Sequence, residues 1–221
     1  MNIQEIVEIV DEYLSKCSSL DSIELEIRLG IYDQENNCFD SNIGEENYNQ
    51  IMNMLNTFEG WKSLRNENIT NIYGKNLRLS VNNTTKETKC IEKVKLKNFT
   101  FISETLPLDF RISINREIDI PVSKFPKARS KLMKRTKKLS SREYQNALFE
   151  LSQIDTEENN SDIVQTFEYE IEHNGPLCRE NMKESIFQII YKALDANFMI
   201  DGFLKTQDNP LPLEMFSAQM V

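Results

Sequence analysis

Hydrophobic and polar residues alternate with two different periods along the chain. Three segments carry apolar residues every three or four positions and are predicted to be amphipathic helices, at 3–16, 45–58 and 179–198. Most of the remaining chain alternates with a period of two, which is typical of strands with one buried face. Those predicted strands are 22–32, 76–82, 89–97, 108–119, 130–140 and 163–173, with shorter ones near 68–73, 99–105 and 146–153.

The predicted connections are polar. Asn82 and Asn83 mark one turn, and the segment 155–162 (DTEENNSD) is predicted to be a solvated loop. The segment 201–221 contains Pro210 and Pro212 and is expected to be an extended tail or a linker to further domains of a longer protein. We therefore expect a single α+β domain over 1–200.

The polar faces of two strands are dominated by glutamate. Glu24 and Glu26 share a face with Arg28, and the second set is Glu168, Glu170 and Glu172. Alternate residues of a strand lie about 6.6 Å apart and point the same way, so enclosed glutamates would repel one another. A hard divalent cation such as Mg²⁺ or Mn²⁺ would relieve that repulsion. The alternative is an ordinary solvated acidic face.

Other strands carry basic residues instead. Lys93, Lys95 and Lys97 alternate with apolar residues, as do Arg78 and Arg111, and the segment 129–138 holds six basic residues and no acidic one. Such a run alone indicates a solvated face or a nucleic-acid patch. If the sheet closes on itself, however, the acidic strands form a metal site opposite a basic phosphate site. That arrangement suits hydrolysis of a triphosphate.

Composition narrows the possible chemistry. The 221 residues include 35 acidic and 26 basic ones, and the resulting net charge of −9 argues against nonspecific coating of RNA or of an anionic membrane. No apolar stretch approaches the length of a membrane helix, and the acidic start (MNIQEIVEIVDE) is unlike a signal peptide, so we expect an intracellular protein without a membrane partner.

Histidine and cysteine are too sparse for several classes of active site. His173 is the single histidine, which argues against a Ser-His-Asp hydrolase or a multi-histidine metal site. The cysteines are widely spaced and are predicted to be reduced thiols; they are Cys17, Cys38, Cys90 and Cys178. If the chain is an enzyme, its acids, bases and metal ligands are therefore mainly carboxylates.

Several segments resemble the triphosphate tunnel metalloenzymes, and most closely the RNA triphosphatases of mRNA capping in fungi, protozoa and large DNA viruses. Glu24-Leu25-Glu26-Ile27-Arg28 and Glu168–Glu172 resemble the family's first and last metal-binding strands. The segment 109–117 (DFRISINRE) resembles its more specific D-x-[RK]-x-S-x-N-x-E strand. The strands around Arg78 and Lys93, and the segment 150–154, resemble others in the same order.

The resemblance implies an eight-stranded antiparallel β-tunnel supported by helices, and it implies roles for individual residues. The expected metal ligands are Glu24, Glu26 and Glu172. The attacking water is expected to be supported by Glu117 and Glu170. Phosphate binding is expected of Arg78, Lys93, Lys95, Arg135 and Lys137. The basic strand fits two registers, with Arg135 and Lys137 or with Lys134 and Lys138 facing inward, and its placement relative to Glu150 favours the first.

The implied function is metal-dependent removal of the γ-phosphate from the 5′-triphosphate end of nascent RNA, the first step of capping, with Mg²⁺ or Mn²⁺ as cofactor and a side activity on nucleoside triphosphates. A guanylyltransferase in cis or in trans would be a partner, in the nucleus or in a viral factory or virion. The alternatives are a tunnel enzyme acting on a small triphosphate and a non-catalytic polyanion-binding module. No chemistry is assigned to Ser113 or Asn115, and His173 is expected at the surface.

Overall fold

A computed structural model describes residues 2–126, 132–158 and 162–200, together with the backbone of 216–219. Within these ranges it has three α-helices: α1 (Ile3–Ser15), α2 (Gly44–Thr57) and α3 (Met182–Ile200). All three predicted helices are confirmed, with their ends shifted by a few residues. The α1 helix begins with a capping box in which Asn2 and Glu5 each bond the other's backbone N–H.

The described residues also form ten strands, and eight of them correspond to predicted strands. They are β1 (Ile23–Asp33), β2 (Cys38–Asp40), β3 (Ser63–Tyr73), β4 (Leu77–Asn82), β5 (Thr88–Ser103), β6 (Asp109–Asp119), β7 (Lys134–Tyr144), β8 (Ala147–Glu157), β9 (Val164–His173) and β10 (Phe216–Gln219). The first part of the basic segment, 129–131, lies outside the described residues. So does the segment 201–221, apart from the backbone of β10.

The short strand β2 was not predicted, and β10 lies in the segment expected to be a linker or an extended tail. The other corrections concern strand lengths. The segments predicted separately at 89–97 and 99–105 form the single strand β5, which continues through an irregularity between Lys95 and Lys97. The predicted loop at 155–162 was wrong at its start, because Asp155–Glu157 pair with β7 and extend β8. The first half of β3 was missed because residues 63–67 are mostly exposed and lack apolar alternation.

Eight of the strands close into an antiparallel barrel. Their order around the ring is β1, β6, β5, β4, β3, β7, β8 and β9, and β9 pairs back with β1. The remaining two lie outside the ring, where β2 pairs with the end of β1 and β10 pairs with the end of β5. The predicted eight-stranded antiparallel barrel is therefore confirmed, and the fold is α+β.

The main hydrophobic core lies outside the barrel wall. The apolar residues of β1, such as Leu25 and Ile27, point away from the barrel axis and pack with residues of α1, α2 and α3, including Val10, Ile51 and Ile190. Since side chains alternate along a strand, burying this outer face under the helices turns the charged face inward. The helices thus fix which face of each strand lines the interior.

A smaller cluster covers the side of the barrel formed by β3, β4 and β5. Ile72, Leu79 and Cys90 pack there against Phe125, which follows a 3₁₀ turn at Val122–Lys124. No helix within the described residues is long and apolar enough to cross a membrane.

Candidate active site

The strand register places the predicted acidic residues on the inner face of adjacent strands. In β1, Glu24, Glu26 and Arg28 alternate with the buried core residues. Glu26 lies opposite Glu172 of β9, and Arg28 lies opposite Glu170. On the other side of β1, β6 contributes inward-facing residues from Arg111 to Glu117. The glutamates of the first and last predicted metal-binding strands are thus neighbours in the closed barrel.

Lys93 on β5 connects three of these carboxylates. Its ammonium contacts Glu24 and lies 3.4 Å from Glu26 Oε2 and 3.2 Å from Glu117 Oε1. Glu117 also accepts a hydrogen bond of 3.3 Å from Arg78 Nη2. Five of the residues predicted for metal, water and phosphate binding therefore meet in one charged cluster: Glu24, Glu26, Glu117, Lys93 and Arg78.

A second cluster is centred on Arg28. Its guanidinium lies 2.9 Å from Glu170 Oε2, 3.4 Å from Glu26 Oε2 and 3.9 Å from Glu168 Oε2. Glu168 also pairs with Arg135 at 2.5 Å. Sequence reasoning noted that Arg28 and Glu168 share faces with the predicted ligands, but it gave neither a role. Their alternation with the assigned glutamates was the available signal.

The register of the basic strand places Arg135 and Lys137 on the inner face. Lys137 pairs with Ile154 of β8, which lies on the same face as Glu150. Lys138 is exposed, and Lys134 pairs with Glu157 at 3.8 Å on the outer face. This is the register that the sequence favoured. Burial raises the pKa of Glu150, and of the nearby cations Lys137 opposes that rise most strongly.

Asn115 and His173 differ from expectation, and the phosphate-binding candidate Lys95 lies apart from the charged cluster. Asn115 Nδ2 donates a 2.9 Å hydrogen bond to Glu24 Oε2, so it supports a predicted ligand, although no chemistry had been assigned to it. His173 is 8% exposed, which corrects the expected surface position. Lys95 is exposed, unlike Lys93 two positions earlier.

Burial and charge separate the glutamates into two groups. Burial raises the pKa of Glu26 to about 8, and burial together with Glu24, Glu170 and other carboxylates raises the pKa of Glu172 to about 9. Burial acts in the same direction on Glu170, but Arg28, the hydrogen bond with Glu26 and the cations Lys137 and Lys93 together outweigh it and hold the pKa of Glu170 well below its usual range. The first two carboxyls are therefore largely protonated at neutral pH when no cation is bound, and the third is ionised.

The donor set fits a hard divalent cation. It consists of carboxylates from neighbouring strands, and within the described residues no basic side chain lies within ion-pair distance of Glu172. As the side chains lie, no three acidic, histidine or cysteine residues of the described ranges form a ready metal site. Lys93 accounts for part of this, since its ammonium lies between Glu24 and Glu26. A bound cation would require these carboxylates to turn from Lys93 towards Glu172.

One end of the barrel is covered by residues 38–43, which we call the strap. Gly30, the next inward position after Arg28, has the ring of Phe39 against it, and that ring lies 4.7 Å from the Arg111 guanidinium. Ser41 Oγ donates to Glu168 Oε1 at 3.0 Å, and the Asn42 side chain accepts from Phe167 N at 3.0 Å. The strap therefore runs from the end of β1 to the start of β9 and narrows that opening.

A protein-family model described as mRNA capping enzyme, beta chain, a model of the mRNA triphosphatases, matches residues 19–195 of the chain. The matched region extends from just before β1 into α3 and includes every inward-facing residue described above. No curated protein sequence matches the chain.

Solved structures share the fold at low sequence identity. The S. pombe Pct1 RNA triphosphatase superimposes with a TM-score of 0.71 at 15% identity, covering 88% of this chain and 91% of that one. Pct1 in complex with the Spt5 CTD gives 0.66 at 15% identity, with 90% and 89% covered. The RNA triphosphatase domain of a trifunctional mimivirus mRNA capping enzyme gives 0.56 at 16% identity, with 89% and 96% covered.

Proposed function

The chain belongs to the mRNA triphosphatase family, the beta chain of the mRNA capping enzyme, and from that membership we propose that its tunnel removes the γ-phosphate from the 5′-triphosphate end of nascent RNA. The observation that carries the proposal is the lining of one closed barrel. Glutamates of β1 and β9 lie beside cations of β4, β5 and β7 that a triphosphate requires.

Glu24, Glu26 and Glu172 would hold a divalent cation, Mg²⁺ or Mn²⁺. When bound, such a cation neutralises negative charge on the phosphates and polarises the γ-phosphoryl group. Glu26 and Glu172 are suited to this role because they are direct cross-strand neighbours, with Cα atoms about 4.5–5.5 Å apart in an antiparallel pair. Asn115 steadies Glu24 through its side-chain amide.

The basic residues hold the phosphate chain and stabilise the charge that develops during transfer. Arg78, Lys93, Arg135 and Lys137 all face the interior from strands opposite or beside the glutamates. Lys93 and Arg135 are paired with carboxylates, and a triphosphate offers them oxygens of higher charge in exchange. Lys95 is exposed, so Lys93 is the better placed of these two lysines to hold the phosphates.

Glu117 and Glu170 orient the attacking water. The water oxygen forms a bond to the γ-phosphorus, the bond from that phosphorus to the βγ-bridging oxygen breaks, and one of the two carboxylates accepts the water proton. The products are inorganic phosphate and RNA with a 5′-diphosphate. Lys93, 3.2 Å away, and Arg78, 3.3 Å away, hold Glu117 in place. In phosphoryl transfer, positioning and charge neutralisation provide most of the acceleration.

The test is release of labelled phosphate from γ-labelled triphosphate RNA, with and without Mn²⁺ or Mg²⁺. We expect release only with the cation. Parallel reactions with ATP and tripolyphosphate distinguish an RNA-end enzyme from one for a small triphosphate. Equal or faster turnover of the small substrates, with no gain from the RNA chain, would favour the second activity. No release from any of the three substrates with either metal would reject the proposal.

The diphosphate end is the substrate that a guanylyltransferase needs, so we propose such an enzyme as a partner in cis or in trans. Pct1, which shares the fold, has been solved with the Spt5 CTD, so a segment like the Spt5 CTD is a second candidate partner for the present chain. Co-purification of the chain with each partner would test these two assignments separately.

A further inference from the structure

A cavity of about 420 Å³ lies on the outer side of the barrel, between α2, α3 and the turn that joins β7 to β8. Its walls are mainly aromatic: Phe58, Trp61, Tyr144 and Tyr191 all line it. The size falls within the usual range for small-ligand sites. Phe58 and Tyr191 are 42% and 47% exposed, so the cavity opens directly to solvent.

The cavity also has a polar side. Tyr169 lines it from the barrel wall and is 1% exposed, yet its hydroxyl has no hydrogen-bond partner among the described residues. Asp195 and Lys192 of α3 lie at the rim. The Lys192 ammonium lies 5.5 Å from the centre of the Tyr144 ring. A buried hydroxyl without a partner is costly, so Tyr169 is suited to bond an acceptor on a ligand.

The cavity lies at the end of the barrel opposite the strap. The β7–β8 turn, with Tyr144 and Gln145 in its lining, pairs with the end of β9, where Ala147 lies opposite His173. Glu172 precedes His173 and lies opposite Glu26, so these two glutamates lie nearer this end than Glu168, which the strap contacts. Because the strap narrows the other opening, an RNA end entering the tunnel would pass the rim that carries this turn.

We propose that this cavity, which we call the base pocket, binds one base of the RNA chain downstream of its 5′-triphosphate. This inference rests on the proposed function of the tunnel. Every base offers a flat π-face that can stack on the aromatic walls. On its edge, every base also has an acceptor that can bond the Tyr169 hydroxyl and, beside it, a donor that can bond Asp195 directly or through a water. Lys192 is placed to meet a backbone phosphate.

The chemistry predicts weak sequence preference and a modest contribution to affinity. Stacking on aromatic side chains tolerates any base, because each has a π-face. A single pocket also agrees with the net charge of −9, which disfavours long basic tracks for RNA. The base pocket would therefore favour RNA over free nucleotide without reading its sequence.

The experiment uses Trp61 as the reporter, since it is the single tryptophan of the chain and lines the pocket. The full chain is titrated with a 10-nucleotide RNA that has a 5′-hydroxyl, at low salt, and tryptophan emission is followed. We expect a saturable change, and about tenfold weaker binding for Tyr191→Ala. Asp195→Asn serves as a second variant that preserves shape. Met199→Ala is the matched control, because Met199 is exposed on the same helix but is not among the lining residues.

A kinetic measurement complements the titration. In Tyr191→Ala, the KM for triphosphate RNA should rise severalfold, with kcat and the KM for ATP unchanged. Tryptophan emission that does not change at millimolar RNA, or a KM in Tyr191→Ala that rises equally for RNA and ATP, would overturn the base-pocket proposal. So would a response to N-acetyltryptophanamide but not to RNA, which would indicate an aromatic side chain of a protein partner. Because the titrated RNA lacks a triphosphate, its result is independent of whether the tunnel hydrolyses phosphate.

Discussion

Glu26 on β1 lies directly opposite Glu172 on β9, and burial raises the pKa of each, to about 8 and about 9. Two carboxyl groups brought together in this way hold protons at neutral pH unless a cation replaces them. The closure of the barrel, which makes the last strand a neighbour of the first, is thus the event that creates the candidate metal site.

Replacing Glu172 by Gln should reduce phosphate release by about 100-fold or more, because the change removes a negative oxygen donor while preserving the size of the side chain. Release from γ-labelled triphosphate RNA in saturating Mn²⁺ measures the effect. Glu157→Gln is the control, since Glu157 pairs with Lys134 on the outer face of the barrel. Near-native turnover by the Glu172 variant would remove Glu172 from the metal site.

Binding of Mn²⁺ should release protons and become tighter as the pH rises from 6 to 9. These residues bind a metal as carboxylates, but in the metal-free protein the pKa of Glu26 is about 8 and that of Glu172 about 9, so both hold protons at lower pH. Calorimetry in two buffers of different ionisation enthalpy counts the protons. A binding enthalpy that is the same in both buffers at pH 7 would mean that the two carboxyls are already ionised.

The metal-free protein should lose stability between about pH 5 and 9. A carboxyl with a raised folded-state pKa binds more protons folded than unfolded in that range, so stability falls as the pH rises. Glu172→Gln, which cannot ionise, should flatten the decline and raise the Tm at pH 8 by about 2–4 °C for each kcal/mol gained. Thermal unfolding with a chelator present measures this, and equal pH slopes for both proteins would contradict it.

Lys93→Met should separate metal binding from catalysis. The Lys93 ammonium contacts Glu24 and lies 3.4 Å from Glu26, where its charge would repel a divalent cation, so its removal should tighten binding of Mn²⁺ in the absence of substrate. The same change removes a phosphate-binding cation, and turnover of triphosphate RNA should fall at least tenfold. Lys89→Met is the control, because Lys89 forms an exposed pair with Asp119. Weaker metal binding in the Lys93 variant would show that Lys93 organises the carboxylates rather than competing with the cation.

Gly30→Ala should disturb the strap. A Cβ at this position would collide with the carbonyl oxygen of Asp40 and lie 2.8 Å from two atoms of the Phe39 ring, so we expect a loss of about 1–3 kcal/mol in the free energy of unfolding. Urea denaturation measures it. Gly74→Ala is a suitable control, because its Cβ would have no neighbour nearer than 3.6 Å. Equal stability of the two variants would mean that the strap moves aside freely.

The sequence by itself determined which residues share a face. The period of two placed Glu24 with Glu26 and Glu170 with Glu172, and the apolar partners showed that the opposite face would be buried, because side-chain direction depends only on the local backbone. The helices were equally predictable, since each carries its own apolar stripe. The resemblance supplied the eight-stranded tunnel, which the structure confirms.

Only the tertiary structure decided which faces meet and how they are offset. The contact of Arg28 with Glu170, the pairing of Arg135 with Glu168, and the hydrogen bond from Asn115 to Glu24 depend on strand register across the closed barrel. The same holds for Trp61, which is isolated in sequence but lies in an aromatic cavity with residues of α3. Register and closure are set by packing between segments far apart in the chain, and no local pattern contains that information.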